Sequence, residues 1–575
     1  MTSATAPATA TSTLRTGHRR LLEQLRADGV RYLFGNPGSS EEGLLEEIAR
    51  FPDIDYVLGL QEAAVVCTAD GYAQATGRPS VVLLHSGVGL GNAVGSLYHA
   101  LHRQTPMLVM AGEAGVAYDA LEAHMSVNLV DIAKPVTKYA TRATHPDSLL
   151  RLVRRALKVA ATPPRGPVFL AVPQDVLDQL ADEAVMPTSV PDTRVVPEPG
   201  AIQAAARLLA TAHAPVVLAG DGIATSGAVD ELTRFAETWG AVVHGAMASE
   251  LLMPWTHPLW GGLTGHMFGA DSAELVAHAD AVLICGTYVF PDVFPALDNP
   301  FRPGATVVQV DLDPYAIAKN HPVTAGMLGD PRLTLRALTE ALGEVMTEPQ
   351  RNAAAERVRR RGALRAAALD KALTDDLEAG LEADSAPLRM PAVAAALAGM
   401  LPDDAIVFDE ALTNSPALTR WLPPARPGHF FQTPGGTLGV GVPGAIGAKI
   451  AHPERTVVGF TGDGGGMYTC QALWTAAHHR VAAKFVICHN GGYQLLKDNL
   501  VHYRRDRDDD PAAAFPPFFD VREPRVDYVH LAAALGVPAA RVRHAADLPG
   551  ILRTMLDHDG PYLVEAVLDE PGDNR

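Results

Sequence analysis

The sequence predicts an α/β protein of three domains, each a mainly parallel, doubly wound sheet with flanking helices. Three observations carry this prediction. The 575 residues exceed what one hydrophobic core organises. Short apolar runs of strand length recur along the chain, each entering a glycine, aspartate or asparagine turn and then a helical segment, the pattern of strand–helix–strand units. Two stretches break this alternation: 186–200, rich in Pro, Thr, Ser and Val, and the Arg- and Ala-rich run 351–365. The boundaries that follow are a disordered tail over 1–14, a first domain over 15–186, a linker over 187–200, a central domain over 201–350, a connecting, solvated helical segment over 351–387 and a last domain over 388–575.

Residues 17–29 read as an amphipathic helix with Leu21, Leu22 and Leu25 on one face. Residues 32–34 form a short strand that enters G-N-P-G-S-S at 35–40, and Glu41 and Glu42 open the next helix, where acids suit the dipole. Residues 56–59 are a strand followed by L-Q-E-A-A and a helix to Gly77. Residues 80–84 run into H-S-G-V-G-L-G-N, and 107–111 end at Gly112. The run G-V-G-L-G is close to a dinucleotide fingerprint, but Asn92 stands where the third glycine belongs, so it reads as a turn that lets a helix approach the sheet. In the central domain 214–219, 281–285 and 306–311 are buried strands. In the last domain 405–408 leads to Asp409-Glu410, and G-G-T-L-G-V-G-V-P at 435–443 precedes the strands 456–460 and 484–488.

Bulk properties exclude several classes. Hydrophobic residues make up 47% and charged residues 19%, a globular balance. A net charge of −18 argues against nucleic acid as a partner, since phosphate backbones call for clustered Lys and Arg. No run of 18 apolar residues appears, so no membrane span is expected, and residues 1–13 lack the basic and apolar regions of a signal peptide. The four cysteines, Cys67, Cys285, Cys470 and Cys488, lie in or beside apolar segments with no C-x-x-C, as reduced thiols in a cytoplasmic protein would.

The chemistry centres on T-G-D-G-G-G-M-Y at 461–468 and C-H-N-G-G-Y at 488–493. Asp463 and Asn490 fall at the carboxyl ends of two neighbouring parallel strands, one crossover apart, where ligands bind in open α/β sheets. One carboxylate, one amide oxygen and glycine carbonyls suit a hard cation such as Mg²⁺ with a diphosphate as co-ligand. Glu62 opens an apolar helix start, L-Q-E-A-A-V-V-C, where burial would raise its pKa; alone it reads as a helix-start acid. Residues 502–527 mix dense charge with Pro and Phe directly after the loop, either a surface loop or a mobile cover that carries Phe515, Phe518 and Phe519 toward substrate.

G-D-G followed after one crossover by N-G-G resembles the signature of thiamine diphosphate (ThDP) enzymes, and the whole chain resembles their pyruvate decarboxylase / acetolactate synthase superfamily, most of all benzoylformate decarboxylases. The likeness is carried by F-G-N-P-G-S at 34–39, L-Q-E-A at 60–63, A-D-G-Y-A-Q at 69–74, L-H-S at 84–86, G-N-A at 91–93, G-D-G at 462–464 and A-L-W-T-A-A at 472–477. It implies a pyrimidine-binding first domain, a central domain and a diphosphate-binding last domain, in a homotetramer of dimers with each site shared between two subunits. It implies ThDP and Mg²⁺ as cofactors, with FAD not expected, and a 2-oxo acid, with or without an aldehyde acceptor, as substrate.

By the same resemblance Asp463, Asn490 and the Gly492 carbonyl would hold the metal, with His489 in place of the usual first Asn. Glu410, Ala411 and Leu412 would border the diphosphate, together with Gly462, Gly464, Gly465 and Tyr493. Gly436, Thr437 and Leu438 would seat the rest of the cofactor, Leu438 bending it and the Gly436 carbonyl accepting from the aminopyrimidine. Glu62 would be the acid that activates the ring. Ser39 and His85 match polar residues that face substrate. A second histidine of benzoylformate decarboxylases falls at Val293, whereas His124 lies near a histidine pair of pyruvate decarboxylases, so the proton shuttle would move to His124. A family Gln after A-G is Glu113. The implied activity is decarboxylation, carboligation or both; an aldehyde-lyase-like or acetolactate synthase-like carboligase, and a non-catalytic nucleotide-binding scaffold, are the competing readings.

Overall fold

The computed structural model describes residues 14–246, 248–381, 388–434 and 436–568. Apart from Leu14, the expected tail lies outside them, as do the end of the connecting segment and Gly435. Three six-stranded sheets follow one another, and every strand pair within them is parallel. The first contains β1 (Tyr32–Gly35), β2 (Asp55–Leu58), β3 (Ser80–His85), β4 (Met107–Glu113), β5 (Tyr139–Arg142) and β6 (Pro167–Pro173), in the order β2-β1-β3-β4-β6-β5. Strands β3, β4 and β6 are buried along nearly their whole length, as sheets covered on both faces require, and this is why their sequences read as unbroken apolar runs. Leu83 faces Met110 and Met110 faces Leu170 across the ladder. A short antiparallel pair, Arg15–Thr16 with Leu180–Ala181, ties the two ends of this domain together.

The central sheet holds β7 (Pro215–Ala219), β8 (Val242–Gly245), β9 (Trp260–Leu263), β10 (Ala281–Cys285), β11 (Thr306–Asp311) and β12 (Ala325–Leu328), ordered β9-β8-β7-β10-β11-β12. That is the order of dinucleotide-binding sheets, with its reversal between β7 and β10. The third sheet holds β13 (Ile406–Glu410), β14 (Phe430–Gln432), β15 (Val457–Gly462), β16 (Lys484–His489), β17 (Ala539–Val542) and β18 (Tyr562–Val567), ordered β14-β13-β15-β16-β18-β17. It repeats the strand order of the first sheet.

Three helices decide how the domains meet. Helix α1 (Glu62–Thr76) starts at Gln61, whose side chain accepts from the Ala64 amide at 2.9 Å, and stops at left-handed Gly77. Helix α2 (Glu348–Leu381) is the connecting segment, solvated as expected along most of its described residues, with one face held to the central domain. Arg357 Nη2 donates to the Trp239 carbonyl at 2.7 Å and Arg365 Nη1 to the Trp260 carbonyl at 2.8 Å, so one face of α2 docks on the central domain. Interleaved Arg and Ala look polar all round, yet arginine stems and small residues make a good docking face. Helix α3 (Gly441–Ala451) crosses α1 almost in backbone contact: a Cβ on Gly447 would lie 2.0 Å from the Thr68 carbonyl, and one on Gly71 2.2 Å from the Gly444 carbonyl. The first and third domains thus touch within the chain, and the Leu58 amide donates to His479 Nε2 at 2.8 Å beside that crossing.

Candidate functional site

At the tip of β15 the chain turns into a short helical segment that begins at Asp463. The aspartate is buried, and its carboxylate accepts from the Gly464 amide at 2.9 Å and the Gly491 amide at 2.8 Å. The second bond fastens the 490–492 loop, at the tip of β16, against the carboxylate. Asn490 Oδ1 accepts from the Gly492 amide at 3.3 Å. Tyr528 donates its hydroxyl to the Asp463 carbonyl, and His489 Nε2 stands 3.5 Å from Asp463 Oδ2. Burial pushes the Asp463 carboxyl up, while His489 and the backbone amides draw it down. Glycine at 464 is needed because a Cβ would come 2.8 Å from the Tyr493 ring. A cavity of about 310 Å³ opens over these groups, lined by Asp463, Gly464, Met467, Tyr468, His489 and Tyr493 with Val521 and Val526.

The donor set fits a hard cation. Among the described residues no three His, Cys, Asp or Glu side chains gather to hold a metal. The candidate set instead has one carboxylate, one amide oxygen and the Gly492 carbonyl, which suits Mg²⁺ that keeps a diphosphate and water as further ligands. Glu410 is placed differently from the expectation that it borders the diphosphate. Its side chain is buried, accepting from the Gly439 amide at 2.6 Å, the Gly441 amide at 2.7 Å and the Thr461 hydroxyl at 2.8 Å. Burial raises its pKa against those bonds. It therefore shapes the 436–441 turn from beneath, leaving Ala411 buried beside it, Leu412 at φ 52° and Thr437 and Leu438 half-buried. Gly436 is exposed at φ 82°, a conformation that favours glycine.

The first domain carries a second constellation at the tips of β1, β2 and β3. Glu62 is buried at the start of α1 and fixed on both oxygens: Asn36 Nδ2 donates to Oε1 at 3.0 Å and Asn92 Nδ2 to Oε2 at 2.9 Å. Asn92, the residue that spoils the dinucleotide fingerprint, is thus a carboxylate clamp. His85 Nδ1 lies 3.0 Å from Glu41 Oε2, and Ser40 donates to Glu41 Oε1 at 2.6 Å while its oxygen sits 3.1 Å from the same nitrogen. Glu41 is buried whereas the His85 side chain is 20% exposed. Of the serine pair, Ser40 rather than Ser39 meets His85; Ser39 is exposed. Glu41 and Ser40 escaped the sequence reading because a first-turn acid and a turn serine look like helix-start residues.

His124 is exposed, and it is Val127, three residues on, whose side chain packs against Gly87 beside the His85 turn. Glu113 is engaged elsewhere: it pairs with Arg142, whose Nη1 and Nη2 hold Asp119 at 2.7 and 2.8 Å. Val293 is 51% exposed, and the strand-like segment around it runs beside His266, whose carbonyl accepts from the Val293 amide at 3.0 Å. After the loop, helix α4 (Gln494–Asp506) carries His502 onto Phe268 of the central domain, rings stacked at 4.0 Å. Residues 517–521 fold back across it: the Tyr493 amide donates to the Phe519 carbonyl at 2.9 Å and the Val521 amide to the Gly491 carbonyl at 3.0 Å. Phe519 and its neighbours therefore lie on the Asp463 loop, while Phe515 and Phe518 remain exposed.

A separate cavity of about 500 Å³ opens between the first and central domains, at the strand-order reversal of the central sheet. Its walls include Lys138 and Arg165 on one side and Asp221, Gly286, Thr287 and Asp311 on the other.

Comparison with known proteins gives one consistent picture. Residues 15–133 match the thiamine pyrophosphate enzyme N-terminal TPP binding domain, 202–338 the central domain and 413–566 the C-terminal TPP binding domain. The chain is 32% identical over 561 residues to a benzoylformate decarboxylase of Pseudomonas aeruginosa, covering 96% of this chain and 98% of that protein. It is 25% identical to the acetolactate synthase isozyme 2 large subunit of Escherichia coli, covering 96% of each. It superposes on the thiamine diphosphate-dependent 4-hydroxybenzoylformate decarboxylase of Rhodococcus jostii with a TM-score of 0.82 at 27% identity, covering 97% of this chain and all of that one.

Proposed function

The chain belongs to the thiamine diphosphate enzymes, and on that footing we propose that it breaks or forms a carbon–carbon bond beside the carbonyl of a 2-oxo acid, as a decarboxylase, a carboligase or both. The observation that carries the reading to this chain's own residues is the Asp463 carboxylate clamped to the 490–492 loop beneath an open cavity.

Asp463, Asn490 and the Gly492 carbonyl would hold Mg²⁺, and Gly462, Gly464, Gly465 and Tyr493 would border the cofactor's diphosphate end. Gly436, Thr437 and Leu438 seat the remainder on a turn that Glu410 keeps rigid from below. When bound, the cofactor supplies a thiazolium ring that takes up the electron pair released with CO₂. Glu62 would be the carboxyl that serves the cofactor's aminopyrimidine, and Asn36 and Asn92 hold its two oxygens in place. Glu41 occupies Nδ1 of His85, which leaves Nε2 as the nitrogen that hands a proton to product or takes one from substrate. The 517–521 segment keeps water from the loop. His124, exposed on the loop before Val127, stands in reserve, and valine at 293 removes a competing proton donor, which favours ligation.

The two constellations come from different domains, and the Asp463 cavity is lined by residues of the last domain only. Apolar groups stand exposed around each, Leu60 and Val88 beside Glu62 and His85, Met467 and Tyr468 beside Asp463. A homo-oligomer in which one copy's Glu62 faces another copy's Asp463 covers both, with a tetramer built from two such dimers. A product screen over 2-oxo acids paired with aldehydes, with ThDP and Mg²⁺ present, tests the reading: CO₂, aldehyde or a 2-hydroxyketone is expected, and none of these from any pair contradicts it.

A second reading, an acetolactate synthase-like carboligase with FAD as structural ligand, is favoured by the cavity at the strand-order reversal of the central sheet. Purified protein that is colourless above 400 nm rules it out, and a flavin spectrum supports it.

A further inference from the structure

We propose that His489, braced by Glu565 and Arg541, is a positioning residue for Asp463 that sets the affinity of the site for Mg²⁺. The inference rests on reading Asp463 as a metal ligand.

A carboxylate ligand keeps its geometry through partners other than the metal, and such partners govern metal affinity. Two backbone amides hold Asp463, and His489 places its side chain against the carboxylate, with Nε2 3.5 Å from Oδ2. The imidazole is 1% exposed and engaged on every edge. Nδ1 lies 2.7 Å from Glu565 Oε1 and so carries the proton, and Nε2 accepts from Arg525 Nε at 3.3 Å; Nε2 therefore meets Asp463 Oδ2 as a packing contact and holds the Arg525 cation beside that carboxylate. The ring of Tyr528 stands edge-on at 5.7 Å and 83°, and the hydroxyl of the same tyrosine reaches the Asp463 carbonyl.

Glu565 is fully buried in the middle of β18. Its second oxygen accepts from Arg541 Nε, on β17, at 2.8 Å. Burial raises the Glu565 carboxyl, and His489 and Arg541 more than offset this, so it stays below the usual carboxylate range. Arg541 Nη2 pairs with Asp527 at 2.7 Å, and Asp527 caps helix α5 (Tyr528–Ala534), which carries Tyr528. The chain Arg541–Glu565–His489 therefore ties the last two strands at one edge of the sheet, β17 and β18, to the Asp463 site at the tip of β15. The two nitrogens of an imidazole point in different directions, one engaging Glu565 and the other Arg525 beside Asp463. The shorter asparagine that the family resemblance expects at this position reaches one of them at most.

The test is a Mg²⁺ titration of the full-length protein at saturating ThDP, read as the metal-dependent rise in Tm. Wild type, His489→Leu, His489→Gln, Glu565→Gln and Asp463→Asn are compared. His489→Leu is expected to weaken apparent Mg²⁺ affinity about 10- to 100-fold. Glu565→Gln is expected to act in the same direction with a smaller effect, and His489→Gln, whose amide donates to Glu565, to recover part of the loss. A merely structural histidine would lower the metal-free Tm and leave the Mg²⁺ concentration dependence unmoved. If His489→Leu does not fold, Glu565→Gln decides. Wild-type Mg²⁺ dependence in both variants, with Asp463→Asn unresponsive, overturns the role of His489 alone. Wild-type Mg²⁺ dependence in Asp463→Asn overturns the metal-ligand reading and this inference with it.

Discussion

Two oxygen partners meet one nitrogen at His85: Glu41 at 3.0 Å and Ser40 at 3.1 Å both face Nδ1. An imidazole so fixed presents Nε2 in a single orientation, which is what a proton carrier needs. His85→Ala is expected to lower kcat by roughly 10²–10⁴-fold, the usual worth of a positioned acid–base group. Glu41→Gln keeps the shape but removes the charge, and is expected to lower kcat about 10-fold or more while leaving the ThDP-dependent rise in Tm as in wild type. A loss of cofactor binding in Glu41→Gln would mean that Glu41 serves the cofactor rather than His85. Glu62, His85, Asp463 and Asn490 could be picked from the sequence because each sits at a strand tip in a recognisable string. Glu41 could not, since an acid in a first helical turn has an ordinary explanation in the dipole. Nor could Ser40 be told from Ser39, because which of two adjacent turn residues points inward is decided by packing.

At the scale of elements, the α1–α3 crossing and the tip of β13 govern stability. Gly447→Ala places a methyl where the Thr68 carbonyl stands, so it is expected to destabilise by about 1–3 kcal/mol in urea unfolding, the range for overpacked contacts. Gly200→Ala, with nothing within 4 Å, is the matched control. At the end of β13 burial raises the Asp409 carboxyl from 3.8 to about 6. The folded protein then binds more protons than the unfolded chain between about pH 4 and 6, so this group makes stability fall as pH rises through that window and adds no slope above it. Asp409→Asn keeps an acceptor for Ala411 and Ser415 and removes the slope. It is expected to be more stable than wild type by about 1–3 kcal/mol at pH 7 and to converge with it near pH 4. Strands were legible here as apolar runs because parallel strands are buried on both faces. The docked face of α2 was not, because arginine stems bury themselves while the composition stays polar.

At the scale of the molecule, the three-sheet architecture could be read from the alternation of runs and turns, whereas the strand order that makes the first and third domains alike could not. Order depends on which strands neighbour in space, and apolar runs are interchangeable in that respect. The separation of Glu62 from the Asp463 cavity leads to a prediction about assembly. Glu62→Gln and Asp463→Ala are each expected to be inactive, and co-refolding them is expected to restore up to about a quarter of wild-type turnover if sites are shared between two copies. No recovery in verified mixed oligomers would place both residues of a site in one chain.

The most direct test of the cofactor chemistry is turnover of a 2-oxo acid substrate, measured as CO₂ or ligation product, by cofactor-stripped protein before and after ThDP and Mg²⁺ are returned, in wild type and in Glu62→Gln. Activity that appears only with both additions, and that falls by about 10²-fold or more in Glu62→Gln, is the predicted result. Turnover that survives without cofactor, or a Glu62→Gln variant as active as wild type, would contradict it.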